Sequence, residues 1–398
     1  MFAVMRPRKR VAFIVSHPIQ YFIPLYRRLA QRDDLEIKIF FTWHAGKEPI
    51  EDRGFGRPVA WDIPVTEGYE FELVPNVASD RGTHHFLGLR NPLLVRRVMA
   101  WQPDIVQVTG WAWLSHLQAM YRFSRLEIPV LFRGDSHLLD STLSAPRWWI
   151  KRAALQRVFS WPAGFLVVGS ANRNYYEKFG VEAARLFPCP HSIDVARFAE
   201  PAKALEQDAA QWRHELGISP AQKVVLFSGK FESKKRPVDL MRAVQQLAHP
   251  DIVMVLVGAG ELQEEIDAIA AADPMRFRVL PFQNQSRMPV VYRIGDVFVL
   301  PSAYGETWGL AVNEALACGR PVLVSDRVGC APELVSEDCG AVFPWNDLPA
   351  LTKALGEMHA NVELRAEMRR LAGERAWSFD IAVTEAAIIE AIAQLRAP

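Results

Sequence analysis

Short apolar runs, each closed by turn residues or a change to polar sequence, alternate along this chain with stretches whose apolar positions recur at helical spacing. In the first half Ala12 to Val15, Leu35 to Phe41, Ile105 to Val108, Pro129 to Phe132 and Phe165 to Val168 read as strands. Ile23 to Gln31, Pro92 to Trp101 and Leu114 to Ser124 read as helices between them. Pro201 to Ser219 is polar, alanine-rich and predicted helical, and a second strand series opens at Val224. It comprises Val224 to Ser228, Ile252 to Val257, Arg278 to Phe282, Val297 to Leu300 and Pro321 to Ser325. Alternation of this kind predicts an α/β architecture of two Rossmann-like, doubly wound parallel sheets. The expected division is 1–200 and 201–378, with the change falling between about 190 and 222, and a helical run from Phe379 to Leu395 fills 379–398.

The most chemically specific stretch is YGETWGLAVNEALACGRPVL, Tyr304 to Leu323. The run Val297 to Leu300 is stopped by Pro301 and Ser302, a helix starts near Gly309, and Cys318-Gly319 with Pro321 ends it. Strand, loop, helix and strand make a right-handed parallel crossover, so the loop lies at the carboxyl edge of a sheet, where open α/β folds bind ligands. The N–H groups of Trp308, Gly309 and Leu310 open that helix at its positive end and favour a phosphate. Glu306 in the loop and Glu314, eight residues on, stand beside the anion site. Ionised Glu is acceptor-only and takes two hydroxyl protons at once, which suits the diol of a sugar or ribose. The plain alternative makes Glu306 a solvated loop residue and Glu314 an exposed helix residue.

GETWGLAVNEALACGRPVLVS, followed by Gly329 and Pro332-Glu333-Leu334, resembles the Glu-x7-Glu signature of the retaining family 4 (group 1) glycosyltransferases, which have the GT-B fold. The resemblance implies an N-terminal acceptor domain and a C-terminal nucleotide-sugar domain facing a cleft, with the last helix crossing back to the first domain. A second stretch strengthens it: after Val224 to Ser228 comes GKFESKKRPVDLMRAV, with Gly229 at the turn and Pro237 in the first turn of a helix. In the resembling family two cations hold the donor diphosphate here, which implies Lys230 and Lys235. Lys234 and Arg236 are neighbours able to substitute or stay in water, and a solvated basic turn is the plain alternative. The resemblance also implies that Glu306 grips the transferred sugar, Glu314 the ribose, and the loop Thr307, Trp308, Gly309 and Leu310 the donor phosphates. Ile252 to Val257 ends in Gly258-Ala259-Gly260, where glycine lets backbone approach a ligand closely. The edge after Arg278 to Phe282 is implied to face the nucleotide base, with Phe282 either at the base or in the core.

The first half resembles the family more loosely. Ser170-Ala171-Asn172, Tyr175-Tyr176, Phe179-Gly180-Val181 and Pro190-His191-Ser192-Ile193-Asp194 with Phe198 are similar to the stretch that closes its first domain. Ser170 is also a good N-cap and Gly180 a good C-cap, and Asp194 reads as a hinge or interdomain hydrogen-bonding residue. Many family members carry a glycine pair after the first strand, whereas this chain has His17-Pro18. His17 is therefore either a site residue, acting through its ring on the diphosphate or the acceptor, or a packed loop histidine. Arg133-Gly134-Asp135-Ser136-His137 follows the fourth strand, where family members often hold a site histidine. Arg133, Asp135 and His137 are the acceptor-side candidates, and a turn capped by Asp135 is the alternative.

Composition narrows the partners. At 398 residues, half of them hydrophobic, the chain can bury two cores. Lys plus Arg number 46 against 45 Asp plus Glu, so no global charge points to nucleic acid. Cys189, Cys318, Cys330 and Cys339 lack metal-ligand spacing, and a reduced, cytoplasmic setting is the simple expectation. No apolar stretch reaches the length of a membrane-spanning helix, and after Met1 to Arg10 the run Val11 to Val15 is too short for a secretory signal. Two stretches rich in basic and aromatic residues, Ser144 to Trp161 and HHFLGLRNPLLVRRV from His84, suit either an anionic membrane face or an ordinary packed surface. In the first case the protein would sit peripherally at the inner face of the membrane.

No Asp-x-Asp pair stands where it would hold a metal on the diphosphate, so metal-independent transfer is expected, with lysines and loop amides carrying the growing charge. No cofactor is expected. The co-substrate is a nucleotide-diphosphate sugar, a uridine diphosphate sugar being commonest in the family, and the acceptor a saccharide or lipid-linked hydroxyl, as in bacterial cell-surface polysaccharide or glycoconjugate synthesis. Two other readings stay open: a nucleotide-sugar epimerase of the same fold, and a non-catalytic sugar-nucleotide binding protein, against which the intact set Glu306, Glu314, Lys230 and Lys235 argues.

Overall fold

The computed structural model describes residues 8–46, 49–52, 54–139, 145–360 and 362–395. Met1 to Pro7, and Ser144 at the head of the aromatic stretch, lie outside them. By contacts the chain divides into Met1–Glu48, Pro64–Pro190 and Ile381–Pro398 as one unit, and Pro49–Ile63 with His191–Asp380 as a second. The chain changes unit after Pro190, and the short segment Pro49–Ile63, which the sequence reading left in the first domain, groups with the second.

In the first unit the strands are β1 (Lys9–Val15), β2 (Leu35–Phe41), β5 (Glu70–Leu73), β6 (Ile105–Thr109), β7 (Val130–Arg133), β8 (Gly164–Val167) and β9 (Leu186–Pro188). They form one sheet in the order β5-β2-β1-β6-β7-β8-β9, parallel at every pairing. The apolar runs are buried because both faces of such a sheet are covered, which removes the alternation a half-exposed strand would show. Ile14, Val106, Val108, Phe132 and Phe165 share a core with Met120 and Phe123 of the helix Leu114–Arg125. The helix Ile381–Gln394 packs on the helix Ile23–Ala30 and on β8 and β9. Glu385 fastens it, accepting from Arg28 Nε at 2.6 Å and Arg32 Nη1 at 3.4 Å.

The segment Pro49–Ile63 carries the antiparallel pair β3 (Ile50–Asp52) and β4 (Arg57–Val59). The main sheet of the second unit contains β10 (Lys223–Lys230), β11 (Ile252–Ala259), β12 (Phe277–Pro281), β13 (Val297–Leu300), β14 (Val322–Ser325) and β15 (Gly340–Phe343). Their order is β12-β11-β10-β13-β14-β15, all parallel. Relative to the first strand of each sheet, both follow the doubly wound sequence in which the order reverses once. The reversal falls between β1 and β6 in one sheet and between β10 and β13 in the other. Loops leaving the carboxyl ends of those two strands part there and open a crevice. Phe227, Leu256, Val299 and Leu323 pack with Leu240, Met241 and Val244 of the helix Pro237–Leu247, each large side chain contributing about 1.5–3 kcal/mol by its burial. Among the described residues no helix is long and apolar enough to cross a membrane.

Candidate functional site

The reversal point of the second sheet is where the charged motif residues meet. β10 ends at Lys230, and the chain turns through Ser233–Lys235 into the helix Pro237–Leu247, with Pro237 in its first turn. β13 ends at Leu300, and the loop 301–309 leads into the helix Leu310–Ala317. Ala303 N–H donates to Lys234 O at 2.8 Å and ties the two loops together. Across this link the Lys235 ammonium pairs with Glu306 Oε2, to which Ser302 Oγ also donates at 3.1 Å. The side chains of Lys235 and Glu306 are 21% and 13% exposed, so the pair is half-withdrawn from water yet reachable. The neighbouring cations are spoken for: Lys234 pairs with Glu232 at 2.9 Å, and Arg236 with Asp239 and, at 3.0 Å, Asn346.

Close approach of backbone to backbone fixes the shape of the loop. Gly309 has φ +96°, a left-handed conformation that suits glycine at the start of the helix. Gly329 N–H donates to Glu306 O at 3.0 Å and Cys330 N–H to Trp308 O at 2.9 Å. A Cβ on Gly329 would stand 1.9 Å from Thr307 O, so only glycine lets this turn lie against the loop. Trp308 is buried, its indole N–H donating to Asn313 Oδ1 at 2.9 Å and its ring beside His191 and Phe379. The Trp308 side chain thus holds the loop, and what Trp308 itself can offer a ligand is its backbone. The N–H groups at the start of a helix have no intrahelical acceptor and carry its positive end.

Glu314 departs from the exposed position that the plain reading gave it. It is 2% exposed, and Tyr292 O–H donates to its Oε2 at 2.6 Å. The helix Leu310–Ala317 contains no other charge and is buried through most of its length, which forces Glu314 inside with it.

The remaining candidates of this unit differ in setting. The Lys230 ammonium lies 4.9 Å from the centre of the Phe55 ring, and that ring stands edge-on to Phe282 at 4.6 Å. Phe282 is half-buried, and Phe55 from the segment Pro49–Ile63 lies against it. Asn284 donating to Ala60 O at 2.7 Å and Ser286 N–H to Asp62 at 3.1 Å bind the same segment to the turn after β12. Gly258 proves to be required by packing: its Cβ would fall 1.9 Å from Gly229 O, and that of Gly260 2.7 Å from Phe231 O. Strand lies against strand closely enough there to require glycine. Gly229 is in the strand rather than at a turn, and a Cβ there would meet nothing closer than Phe227 Cζ at 3.8 Å.

In the first unit His17 follows β1 at the reversal point. Its Nδ1 shares a hydrogen bond with Ser16 Oγ at 2.9 Å, and its ring stacks on His44 at 5.1 Å and meets Trp43 edge-on at 5.3 Å. Burial pulls the His17 imidazole down to about 4, so it is uncharged at neutral pH and brings no positive charge to a phosphate. Arg133 is 4% exposed; it donates to Cys189 O at 3.3 Å, Cys189 Sγ at 2.8 Å and Pro190 O at 3.3 Å. It ties the end of β7 to the chain after β9, which separates it from the other acceptor-side candidates. Asp135 is exposed, and His137 is half-buried with its Nδ1 accepting from Leu139 N–H at 3.2 Å. Asp194 caps the helix Val195–Ala199 through Arg197 N–H. All four cysteines are buried thiols.

Ser302, Tyr292, Asn313 and Phe55 were missed by sequence reasoning. Ser302 had a local signal, a hydroxyl four residues before Glu306 at a strand's end. Tyr292 and Phe55 reach their partners only through tertiary contacts.

Comparison with known proteins agrees with this geometry. Residues 208–375 match the family model for glycosyl transferases group 1. The chain is 31% identical over 227 residues to a D-inositol 3-phosphate glycosyltransferase of Mycobacteroides abscessus, an alignment covering 52% of this chain and 50% of the relative. It is 33% identical over 215 residues to the protein of that description from Saccharomonospora viridis, covering 50% and 47%. The chain spans about half the length of the curated relatives it matches. Among solved structures, Anabaena HepE in complex with UDP superposes with a TM-score of 0.73 at 17% identity, over 97% of this chain and 100% of that one. WaaG, a glycosyltransferase involved in lipopolysaccharide biosynthesis, gives 0.66 at 16% identity, over 95% and 99%. The protein thus has the α/β fold of the GT-B glycosyltransferases, and its segment 208–375 carries the group 1 glycosyl transferase pattern.

Proposed function

We propose that the protein is a retaining glycosyltransferase that moves a sugar from a nucleotide-diphosphate sugar, a uridine diphosphate sugar first among them, to a hydroxyl of a saccharide or lipid-linked acceptor. The observation that carries this reading is the pairing of Lys235 with Glu306 across the reversal point of the second sheet, beside the opening of the helix Leu310–Ala317. A diphosphate at that edge gains the Lys235 and Lys230 ammonium groups and the N–H groups of Trp308, Gly309 and Leu310. As the bond from sugar to diphosphate breaks, negative charge grows on the bridging oxygen, and preorganised donors stabilise it without reorganising. Glu306, relieved of its lysine, accepts the sugar hydroxyls and favours positive charge on the ring. Glu314, which accepts from Tyr292 O–H, serves as the ribose grip. Retention follows from attack on the face the diphosphate leaves, with the leaving phosphate taking the acceptor proton; no metal enters this step.

The relatives' descriptions as D-inositol 3-phosphate glycosyltransferases and the UDP bound to HepE support a nucleotide-sugar donor. For the acceptor, Trp149 and Ile150 are 62% and 72% exposed on the helix Ala145–Phe159, next to Lys151 and Arg152, while Trp148 packs on Phe179. An apolar pair set among cations suits an anionic membrane face at the cytoplasmic side and a lipid-linked acceptor in cell-surface polysaccharide synthesis. A thermal-shift panel of nucleotide sugars, followed by a transfer assay with the best stabiliser, tests the donor reading. Stabilisation by a uridine diphosphate sugar, lost in Lys235→Ala, is expected; a panel in which no nucleotide sugar stabilises the protein contradicts it.

A further inference from the structure

The loop after β5 leaves the carboxyl edge of the first unit's sheet, the edge at which open parallel sheets collect ligands. Asp80, His84 and His85 converge on it. His84 Nε2 lies 3.0 Å from Asp80 Oδ2 and His85 Nε2 lies 3.3 Å from the same oxygen. One ligand atom from each residue falls within 4.8 Å of the other two. Two ligand atoms bound to one tetrahedral ion at about 2.0–2.1 Å stand roughly 3.3 Å apart, which the two Nε2–Oδ2 distances match. His85 Nε2 also lies 3.0 Å from Asp80 O, a contact that an arriving ion would replace.

The loop is also held in place. Gly82 N–H donates to Gly88 O at 3.2 Å, Gly88 N–H to His85 O at 3.2 Å, and Asn76 Nδ2 to Gly88 O at 2.8 Å. Trp113 Nε1 donates to Thr83 O at 3.1 Å. A Cβ on Gly88 would stand 2.1 Å from Gly82 O, so this closure requires glycine. A Cβ on Gly82 would come within 2.6 Å of His84 Nδ1, and its absence lets the imidazole fold back toward Asp80. Three donors on a pre-closed loop lose little further freedom when an ion arrives.

We propose that Asp80, His84 and His85 bind one divalent ion of the zinc class through a carboxylate oxygen and two imidazole nitrogens. Two imidazoles with one carboxylate suit zinc, nickel or copper ions, whereas magnesium and calcium favour shells of oxygen. The side chains are 65%, 31% and 37% exposed, so the ion is reached directly from solvent and keeps positions for water or an oxygen ligand. Binding moves the Nε2 protons: each imidazole presents the Nε2 lone pair to the metal and carries its proton on Nδ1. The site lies in the first unit and is independent of the donor reading, which rests on residues of the second.

The test uses the full-length, untagged chain stripped with a chelator. Isothermal titration with Zn²⁺ is expected to give one ion per chain in the micromolar range or tighter, and Co²⁺ a visible absorption band. His84→Gln and His85→Gln should each weaken Zn²⁺ binding by at least about 100-fold, the upper end of what loss of an outer-shell partner alone causes. Their unfolding without metal should match the wild type, because the side chains lie at the surface. No stoichiometric Zn²⁺ uptake would mean that the cluster is held by hydrogen bonds alone and would overturn the proposal. Uptake unchanged in the His84→Gln, His85→Gln double variant would place the ion elsewhere and overturn it equally.

Discussion

A single methyl group at Gly229 separates the needs of a ligand from the needs of the fold. Gly229 pairs in register with Gly258 across β10 and β11. At Gly258 a Cβ would strike Gly229 O at 1.9 Å, but at Gly229 it would meet only Phe227, at 3.8 Å and 4.0 Å, which is ordinary contact. Gly229→Ala should therefore leave the stability of the free protein unchanged or raise it by about 0.4–1 kcal/mol, because alanine restricts the unfolded chain. A diphosphate lying against the backbone between Gly229 and Lys230 would meet the new methyl. With affinity reduced tenfold, and ligand at 100 times the wild-type Kd, ligand stabilisation falls from about 2.7 to about 1.4 kcal/mol. For a unit of this size that is a loss of about 3–5 °C in the ligand-induced rise of Tm. Thermal melting of wild type and Gly229→Ala, each with and without UDP, reads both quantities. A ligand-induced rise equal to the wild type's would refute a diphosphate at Gly229. A fall of several degrees without ligand would refute the claim that the fold leaves this space open.

Other expectations follow from the same contacts. Lys235→Ala and Glu306→Ala should each lower turnover by about 10²–10³-fold while circular dichroism stays unchanged, as expected for groups that meet developing charge; Lys234→Ala, whose ammonium pairs with Glu232, should change turnover far less. Tyr292→Phe removes the phenol donor from the buried Glu314 carboxylate and should cost about 1–3 kcal/mol in urea unfolding; a neutral result would show that the hydrogen bond is not made in solution. Burial holds His17 and His116 down to about 4 against an ordinary 6.5, so the unfolded chain takes up protons at a pH where the folded one does not. Stability from these groups is complete above about pH 6.5 and is lost as pH falls toward about 4. Unfolding midpoints measured from pH 7 to pH 4 should fall less steeply for His17→Gln than for wild type, and equal slopes would count against the buried, neutral ring.

Strands such as β2 and β13 were legible because they are apolar runs bounded by clear stops. β2 spans Leu35–Phe41 and β13 spans Val297–Leu300, as the hydrophobic pattern indicated. The strands that escaped notice are short or lie at sheet edges. β5 (EFEL) alternates charge with apolar residues, β9 has three residues, and β15 (GAVF) opens on a glycine. The closeness of Lys235 to Glu306 could be anticipated, since both leave the carboxyl ends of adjacent strands. Which of three consecutive cations reaches the carboxylate had only the family resemblance to mark Lys235, because Glu232, Asp239 and Asn346 decide it by capturing Lys234 and Arg236. Burial of Glu314 had a signal in the uniformly apolar helix around it, whereas its partner Tyr292 stands 22 residues away and had none. Phe282 illustrates the remaining limit: its environment is set by Phe55, from a segment that belongs to the second unit despite its place in the first half of the chain.

The most direct test follows the anomeric proton of a uridine diphosphate sugar by NMR during turnover, with a chelator present, for wild type, Lys235→Ala and Glu306→Ala. We expect the wild-type enzyme to transfer the sugar to an acceptor, or to water at a slower rate, with the donor's anomeric configuration in the first-formed product and with both variants nearly inert. A first-formed product of opposite configuration would contradict retention, and wild-type turnover in either variant would contradict the role given to the Lys235–Glu306 pair.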